Sequence, residues 1–235
     1  LPLIIKGSQK LSPIKYNENK GSAQCKSSIM LAGIKTDGKT IIKAKKSRNH
    51  TEILLKHLKI PIKIKKKNYY DYFEINGEAN FKSFNYNIPG DISSSSFFIV
   101  LTLLSEKSKL VIKNVNINKT RTGIINILNK MNADIKLKNK RSYKGELVSD
   151  IFVEYRNNLN AIKCSKNLNS SAIDEFLVIF LVAAKSKGIS KFYDLGELNN
   201  KESPRLDIAI NFLRMIGIKV LRNKDNIKIY GNPNL

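Results

Sequence analysis

Asp174, Glu202, Lys201 and Arg205 are the residues of this chain whose types and setting best suit chemistry. Asp174 is followed, after Glu175, by the nine apolar residues 176–184. A carboxylate at the mouth of so apolar a segment can be partly desolvated, and such a carboxylate can act as a base. The plain alternative is an acidic first turn, which steadies a helix dipole by ~0.3–1 kcal/mol. The stretch 197–205 reads Glu-Leu-Asn-Asn-Lys-Glu-Ser-Pro-Arg. Lys201 and Arg205 stand four apart and could flank one phosphate, with Glu202 between them. Against that stands a surface salt-bridge cluster, worth ~0–1 kcal/mol.

A second group lies upstream. Gly21-Ser22-Ala23-Gln24 precedes one apolar run and Ser47-Arg48-Asn49-His50 precedes another. Taken alone, the first is a helix cap opened by Ser22. The second is either a capped turn or a phosphate clamp, because arginine suits bidentate contact with phosphate or carboxylate. Residues 93–96 are four serines, a polar helix start on the same pattern.

The elements that must carry these residues form a block that occurs three times, at 21–62, 90–135 and 172–220. Each copy runs polar start, apolar helix, short strand, arginine, second helix, second strand. Arg48 and Leu58, Arg121 and Met131, and Arg205 and Met215 are ten residues apart in their copies. Such self-similarity governs architecture. A shift of 69 places Asp91 on Ser22 and Ser93 on Gln24, and a shift of 150 places Asp174 on Gln24. The polar residues therefore gather where each first helix begins. Helix starts carry unpaired N–H groups and a positive dipole end, which favour anions. Copies packed around a common axis would gather these starts into a pocket for a phosphorylated ligand.

Periodicity and capping signals predict helices over 22–34, 50–58, 91–104, 123–131, 174–184 and 205–215. Strands are predicted at 3–5, 11–16, 40–43, 62–64, 109–113, 134–137, 151–155 and 190–193, with a hairpin of 219–220 and 227–230. Residues 68–87 read as strand, loop, strand, and 138–149 as a polar loop. Ile88-Pro89-Gly90 breaks the pattern and marks a domain boundary. The order is a mixed βαββαβ repeat, an α/β (α+β) chain, which argues against a doubly wound nucleotide-binding sheet. There is no GxGxxG and no Walker loop.

Composition narrows the partners. Of 235 residues, 42 are Lys or Arg and 19 are Asp or Glu, a net charge of +23. That excess calls for an anionic partner or for a lysine-coated surface. Only seven of the basic residues are Arg, which favours the coated surface. The Lys- and Tyr-rich stretch 63–72 could stack single-stranded nucleic acid, but it reads better as a charged strand edge protected from aggregation. Cys25 and Cys164 share no motif spacing with each other or with His50 and His57, so no zinc site or disulfide framework is indicated. Two cysteines fit a reducing cytoplasm. The chain opens on Leu1-Pro2 and stops at Leu235 just after a strand-like segment, and is read as an internal fragment.

Together the motifs resemble those of the 5-enolpyruvylshikimate-3-phosphate synthase family. The matching stretches are Leu1-Pro2-Leu3 with Ile5, Gly21-Ser22-Ala23-Gln24 with Lys26-Ser27, Leu31-Ala32-Gly33, and Ser47-Arg48-Asn49-His50-Thr51-Glu52. They continue with Pro89-Gly90-Asp91-Ile92-Ser93-Ser94, Asn118 with Thr120-Arg121-Thr122-Gly123, Ile173-Asp174-Glu175, and Glu197-Leu198 with Lys201-Glu202-Ser203 and Arg205. They occur in family order along the whole chain. The resemblance implies an inverse α/β barrel of βαββαβ units in a two-domain enolpyruvyl transferase fold, about half of it present. Residues 1–88 would belong to the shikimate-3-phosphate-binding domain and 89–235 to the second domain.

The resemblance also implies roles. Ser22, Ala23 and Gln24 would hold shikimate 3-phosphate, with Arg48 near its phosphate and Gln24 reaching phosphoenolpyruvate. Asp174 would contact the ring hydroxyls and take the proton of the attacking one. Lys201 would bind shikimate 3-phosphate, Glu202 would move a proton at the methylene carbon, and Arg205 would bind phosphoenolpyruvate. No metal or organic cofactor is implied, and the partners are the two small substrates rather than nucleic acid or membrane, with the protein a cytoplasmic monomer. Three positions depart from the family pattern: Asn49 stands for Asp, Asn199-Asn200 for Arg-Val, and Pro204 for Asp.

Overall fold

The computed structural model describes residues 2–8, 10–77, 79–200 and 202–235. The chain divides into two compact units, Leu1–Asn87 and Ile88–Leu235.

In the first unit the elements run β1 (Lys15–Glu18), α1 (Ala23–Gly33), β2 (Lys39–Lys45), α2 (His50–His57), β3 (Ile62–Lys66) and β4 (Tyr70–Asn76). They build a sheet of order β1-β2-β4-β3, with β1 parallel to β2 and the other pairs antiparallel. In β2, Thr40, Ile42 and Ala44 are buried while Lys39 and Lys45 are exposed, the period-two pattern of a strand with one face on a core. That core holds Met30, Ile42, Leu55, Phe73 and Ile75. The strand predicted at 3–5 does not form, and Leu3, Ile4 and Ile5 are 74%, 82% and 81% exposed. Nor does a second strand within 79–87. β-branched or aromatic composition favours a strand only where a neighbouring edge can take up its backbone groups, and no described strand pairs with either stretch.

The second unit holds α3 (Ile92–Leu104), β5 (Lys109–Asn116), α4 (Gly123–Lys130), β6 (Asp134–Tyr143) and β7 (Glu146–Glu154). After a 3₁₀ turn at Lys166–Leu168 follow α5 (Asn169–Ala172), α6 (Phe176–Ala184) and β8 (Ile189–Phe192). A second 3₁₀ turn, Gly196–Asn200, leads into α7 (Arg205–Met215), β9 (Val220–Asn223) and β10 (Asn226–Tyr230). The strands form two open sheets, β5-β7-β6 and β8-β10-β9. Phe176, Phe180 and Phe192 centre the core with ring separations of 5.0–6.1 Å. Among the described residues all three sheets of the chain stay open, so no barrel closes within this span.

Two sequence-based expectations change here. The polar loop of 138–149 is instead the end of a long hairpin, in which Tyr143 pairs with Glu146. Lys144 and Gly145 have φ of 49° and 86°, the paired positive values of a two-residue type I′ turn. β6 is an edge strand whose lysines are solvated, and that polarity mimics a loop. The helix expected from 174 begins only at Phe176. Residues 173–175 form a turn between α5 and α6, and the two helical stretches meet at 120°. No single helix among the described residues is long and apolar enough to cross a membrane.

Gly123 opens α4 where it presses on the end of α5. A Cβ there would lie 2.4 Å from Ser171 Oγ and 2.8 Å from the Ala172 nitrogen. Gly123→Ala is therefore expected to destabilise the protein by ~1–3 kcal/mol through overpacking. A lower urea midpoint for unfolding checks this; an unchanged midpoint would contradict so close a contact.

Candidate active site

In the first unit the chain is braced before it enters α1. Glu18, 3% exposed, accepts hydrogen bonds from the Lys20 and Gly21 backbone N–H groups, each at 2.8 Å. Gly21 turns the chain with φ +80°, a conformation glycine adopts at low cost. Ser22 then caps the helix, its Oγ accepting from the Cys25 N–H at 3.2 Å. Ala23 is partly buried in the first helical turn and Gln24 is exposed.

Arg48 stands two residues ahead of α2 and is partly buried. Its segment is tied to α1 by Lys26, which is 2% exposed. Lys26 Nζ donates to the Arg48 carbonyl at 2.8 Å, pairs with Glu52 at 2.6 Å, and lies 5.3 Å from the Phe73 ring centroid. The Ser27 and Thr51 hydroxyls meet at 2.6 Å beside it. The structure thus brings the Ser22–Ala23–Gln24 turn and the Arg48 segment together around one buried ion pair.

In the second unit, Asp174 lies in the turn between α5 and α6, and Arg205 is the first residue of α7. Arg205 Nη1 donates to Asp174 Oδ1 at 3.2 Å, and Nη2 to Glu202 Oε2 at 2.7 Å. Arg205 and Asp174 side chains are 25% and 28% exposed, Glu202 82%. One guanidinium thus bridges the two carboxylates proposed for proton transfer. Lys201 lies outside the described residues.

The departures from the family pattern have local accounts. Pro204 takes the cap position of α7, with φ −73°, and offers no side-chain cap. Asn199 supplies one from outside: its Oδ1 accepts from the Leu206 N–H at 2.9 Å and the Asp207 N–H at 3.4 Å. The charge lost with the usual arginine is thus replaced by a helix cap that fixes the start of α7 and so the backbone of Arg205. Asn49 occupies the cap position of α2 without a side-chain capping bond. In the first two copies the arginine precedes its helix by two residues, whereas α7 begins on Arg205 itself. Its guanidinium accordingly belongs to the first turn of a helix, where anions are favoured.

The second copy is wired differently. Asp91 caps α3 as Ser22 caps α1, its Oδ2 accepting from the Ser94 N–H at 2.9 Å. Arg121 Nη2 donates to Asp91 Oδ1 at 2.7 Å and also to Ser93 Oγ. Partial burial pushes the Asp91 carboxyl up, but the Ser94 N–H and the Arg121 guanidinium outweigh it and hold it below the usual carboxylate range. Ser93 in turn donates to Glu175, a carboxylate only 3% exposed. Sequence reasoning attached no role to Glu175. Its partner lies 82 residues away, and the sole local sign was an acid beside an apolar run.

The two thiols differ sharply. Cys25 is exposed, whereas burial pushes the Cys164 thiol up to about 11. A thiol reagent at pH 7.5 is expected to label Cys25 alone in the folded protein and both after denaturation, because the thiolate is the reactive species. Fast labelling of Cys164 in the native state would contradict its burial.

The family model for EPSP synthase (3-phosphoshikimate 1-carboxyvinyltransferase) matches residues 1–234. The chain belongs to the EPSP synthase family. It is 40% identical over 233 residues to the 3-phosphoshikimate 1-carboxyvinyltransferase of Caldicellulosiruptor bescii, covering 99% of this chain and 53% of that protein. Against that of Legionella pneumophila strain Corby the identity is 40% over 231 residues, covering 98% and 52%. The chain therefore spans about half the length of the curated relatives it matches. Among solved structures, EPSP synthase from Acinetobacter baumannii superposes with a TM-score of 0.84 at 34% identity, over 96% of this chain and 50% of that one. The enolpyruvyl transferase NikO from Streptomyces tendae shares the fold, with a TM-score of 0.65 at 16% identity over 96% and 52%.

Proposed function

We propose that the whole protein transfers the enolpyruvyl group of phosphoenolpyruvate to the 5-hydroxyl of shikimate 3-phosphate and releases phosphate. The observation that carries this is the Asp174–Arg205–Glu202 cluster within a chain matched end to end by the family. The chemistry needs a base at the attacking hydroxyl, an acid at the methylene carbon and cations around two phosphates. Asp174 takes the hydroxyl proton as oxygen bonds to the enolpyruvyl carbon, and Glu202 delivers a proton to the methylene. The tetrahedral intermediate then expels phosphate as its new methyl group returns a proton to the Glu202 carboxylate, which restores the enolpyruvyl double bond.

Residues 1–88 belong to the shikimate-3-phosphate-binding domain on this reading and 89–235 to the second. Ser22, Ala23, Gln24, Arg48 and Lys201 bind shikimate 3-phosphate, and Gln24 and Arg205 bind phosphoenolpyruvate. Arg205 then exchanges a carboxylate partner for the incoming anion. That exchange leaves Asp174 and Glu202 to work on protons. Two unbridged cysteines suit the reducing cytoplasm, the proposed compartment. The test is phosphate release by the full-length protein from shikimate 3-phosphate plus phosphoenolpyruvate. Release that requires both substrates supports the reading. No release from the folded protein sinks it.

A further inference from the structure

We infer that the arginine of the second copy does not bind substrate but orients the base: Arg121, Ser93 and Glu175 form a relay that fixes the turn carrying Asp174. The inference rests on the function proposed above and adds three positioning residues to it.

The three copies place an arginine at equivalent points, and the structure assigns each a different fate. Arg48 is held through its backbone carbonyl by Lys26, and Arg205 bridges Asp174 and Glu202. Arg121 is 17% exposed and is engaged internally by Asp91 and Ser93. A guanidinium so paired has its charge offset at short range.

The relay ends on the turn itself. Ser93 accepts from Arg121 and donates to Glu175, so its hydroxyl orders both neighbours. Glu175 stands at the cap position of α6 yet makes no cap bond with its side chain. Its carboxylate reaches the first turn of α3 instead, where the dipole favours an anion. Its backbone is fixed as well, its N–H donating to the Ala172 carbonyl and its carbonyl accepting from the Ile179 N–H, each at 3.0 Å. Asp174 is the next residue back, in a turn with no glycine or proline to set its path. With Glu175 anchored at both backbone and side chain, Asp174 keeps its carboxylate 3.2 Å from Arg205. A base displaced by about 1 Å can cost ~10²-fold in rate.

The test uses the full-length protein with Ser93→Ala, Ser93→Thr and Glu175→Gln. Ser93→Ala and Glu175→Gln are expected to lower kcat at least tenfold, with both KM values within about threefold of the parent and the folded transition retained. Ser93→Thr keeps the hydroxyl and is expected to restore kcat to within about threefold. A merely structural hydroxyl would move the melting temperature without this split between kcat and KM. An unchanged kcat in Ser93→Ala overturns the relay while the transferase reading stands. Failure of both Ser93→Ala and Glu175→Gln to fold overturns it too, by making the network structural. A parent protein that releases no phosphate overturns the transferase reading and the relay with it.

Discussion

Asp174→Asn in the full-length protein is expected to cut the turnover for phosphate release by about 10²- to 10⁴-fold, the usual contribution of a positioned general base. The amide keeps the size and most of the shape of the carboxylate but cannot take a proton. The structure separates this effect from a folding defect. Asp174 sits in a turn, 28% exposed, and its Oδ1 accepts from Arg205 Nη1. An amide oxygen can still accept that bond, so the turn should persist and the melting temperature should shift little. KM for phosphoenolpyruvate should change least, because Arg205 remains. KM for shikimate 3-phosphate should rise modestly if the carboxylate also touches the ring hydroxyls. A variant that keeps more than a tenth of the parental turnover would remove Asp174 from the role of base.

Some of this arrangement was legible in the sequence because it is local. A shift of 69 residues laid Asp91 on Ser22, and both prove to be helix caps accepting from the N–H three residues on. Local pattern also found each arginine, since each stands just before or at the start of an apolar-periodic helix. The third copy resisted because its first helix is broken. The apolar run 176–184 dominates any window, and the turn at 173–175 carries no glycine or proline to announce it. Asn199 was noted only as a missing arginine. Its bond to the start of α7 depends on a 3₁₀ turn that brings it back over the helix. Glu175 and Ser93 meet only in three dimensions, because α3 and α6 pack together, and no spacing rule joins residues so far apart in sequence. Edge lysines on β6 illustrate the opposite error, where a solvated strand looked like a loop.

Lys26→Met carries the largest expected cost in stability. Lys26 and Glu52 side chains are 2% and 6% exposed, and the substitution leaves a carboxylate buried without its cation. Among the described residues Glu52 Oε2 has no hydrogen-bond partner, so the stranded charge has no ready second donor there. Removing one partner of a buried pair costs ~3–5 kcal/mol, whereas replacing both by apolar groups of similar volume is often near neutral. The double variant Lys26→Met/Glu52→Leu is therefore expected to recover most of the lost stability in urea unfolding, with a large coupling between the two sites. It should not recover binding to the same degree. Lys26 also donates to the Arg48 carbonyl, and that tether is absent in the double variant, so the segment bearing Arg48 gains freedom next to the cap of α1. A stable double variant with a raised KM for shikimate 3-phosphate would show that one buried lysine both holds the first unit together and sets the position of its arginine. A single variant that loses less than ~1 kcal/mol would instead mean that water reaches the pair, and the cation would then have no special hold on Arg48.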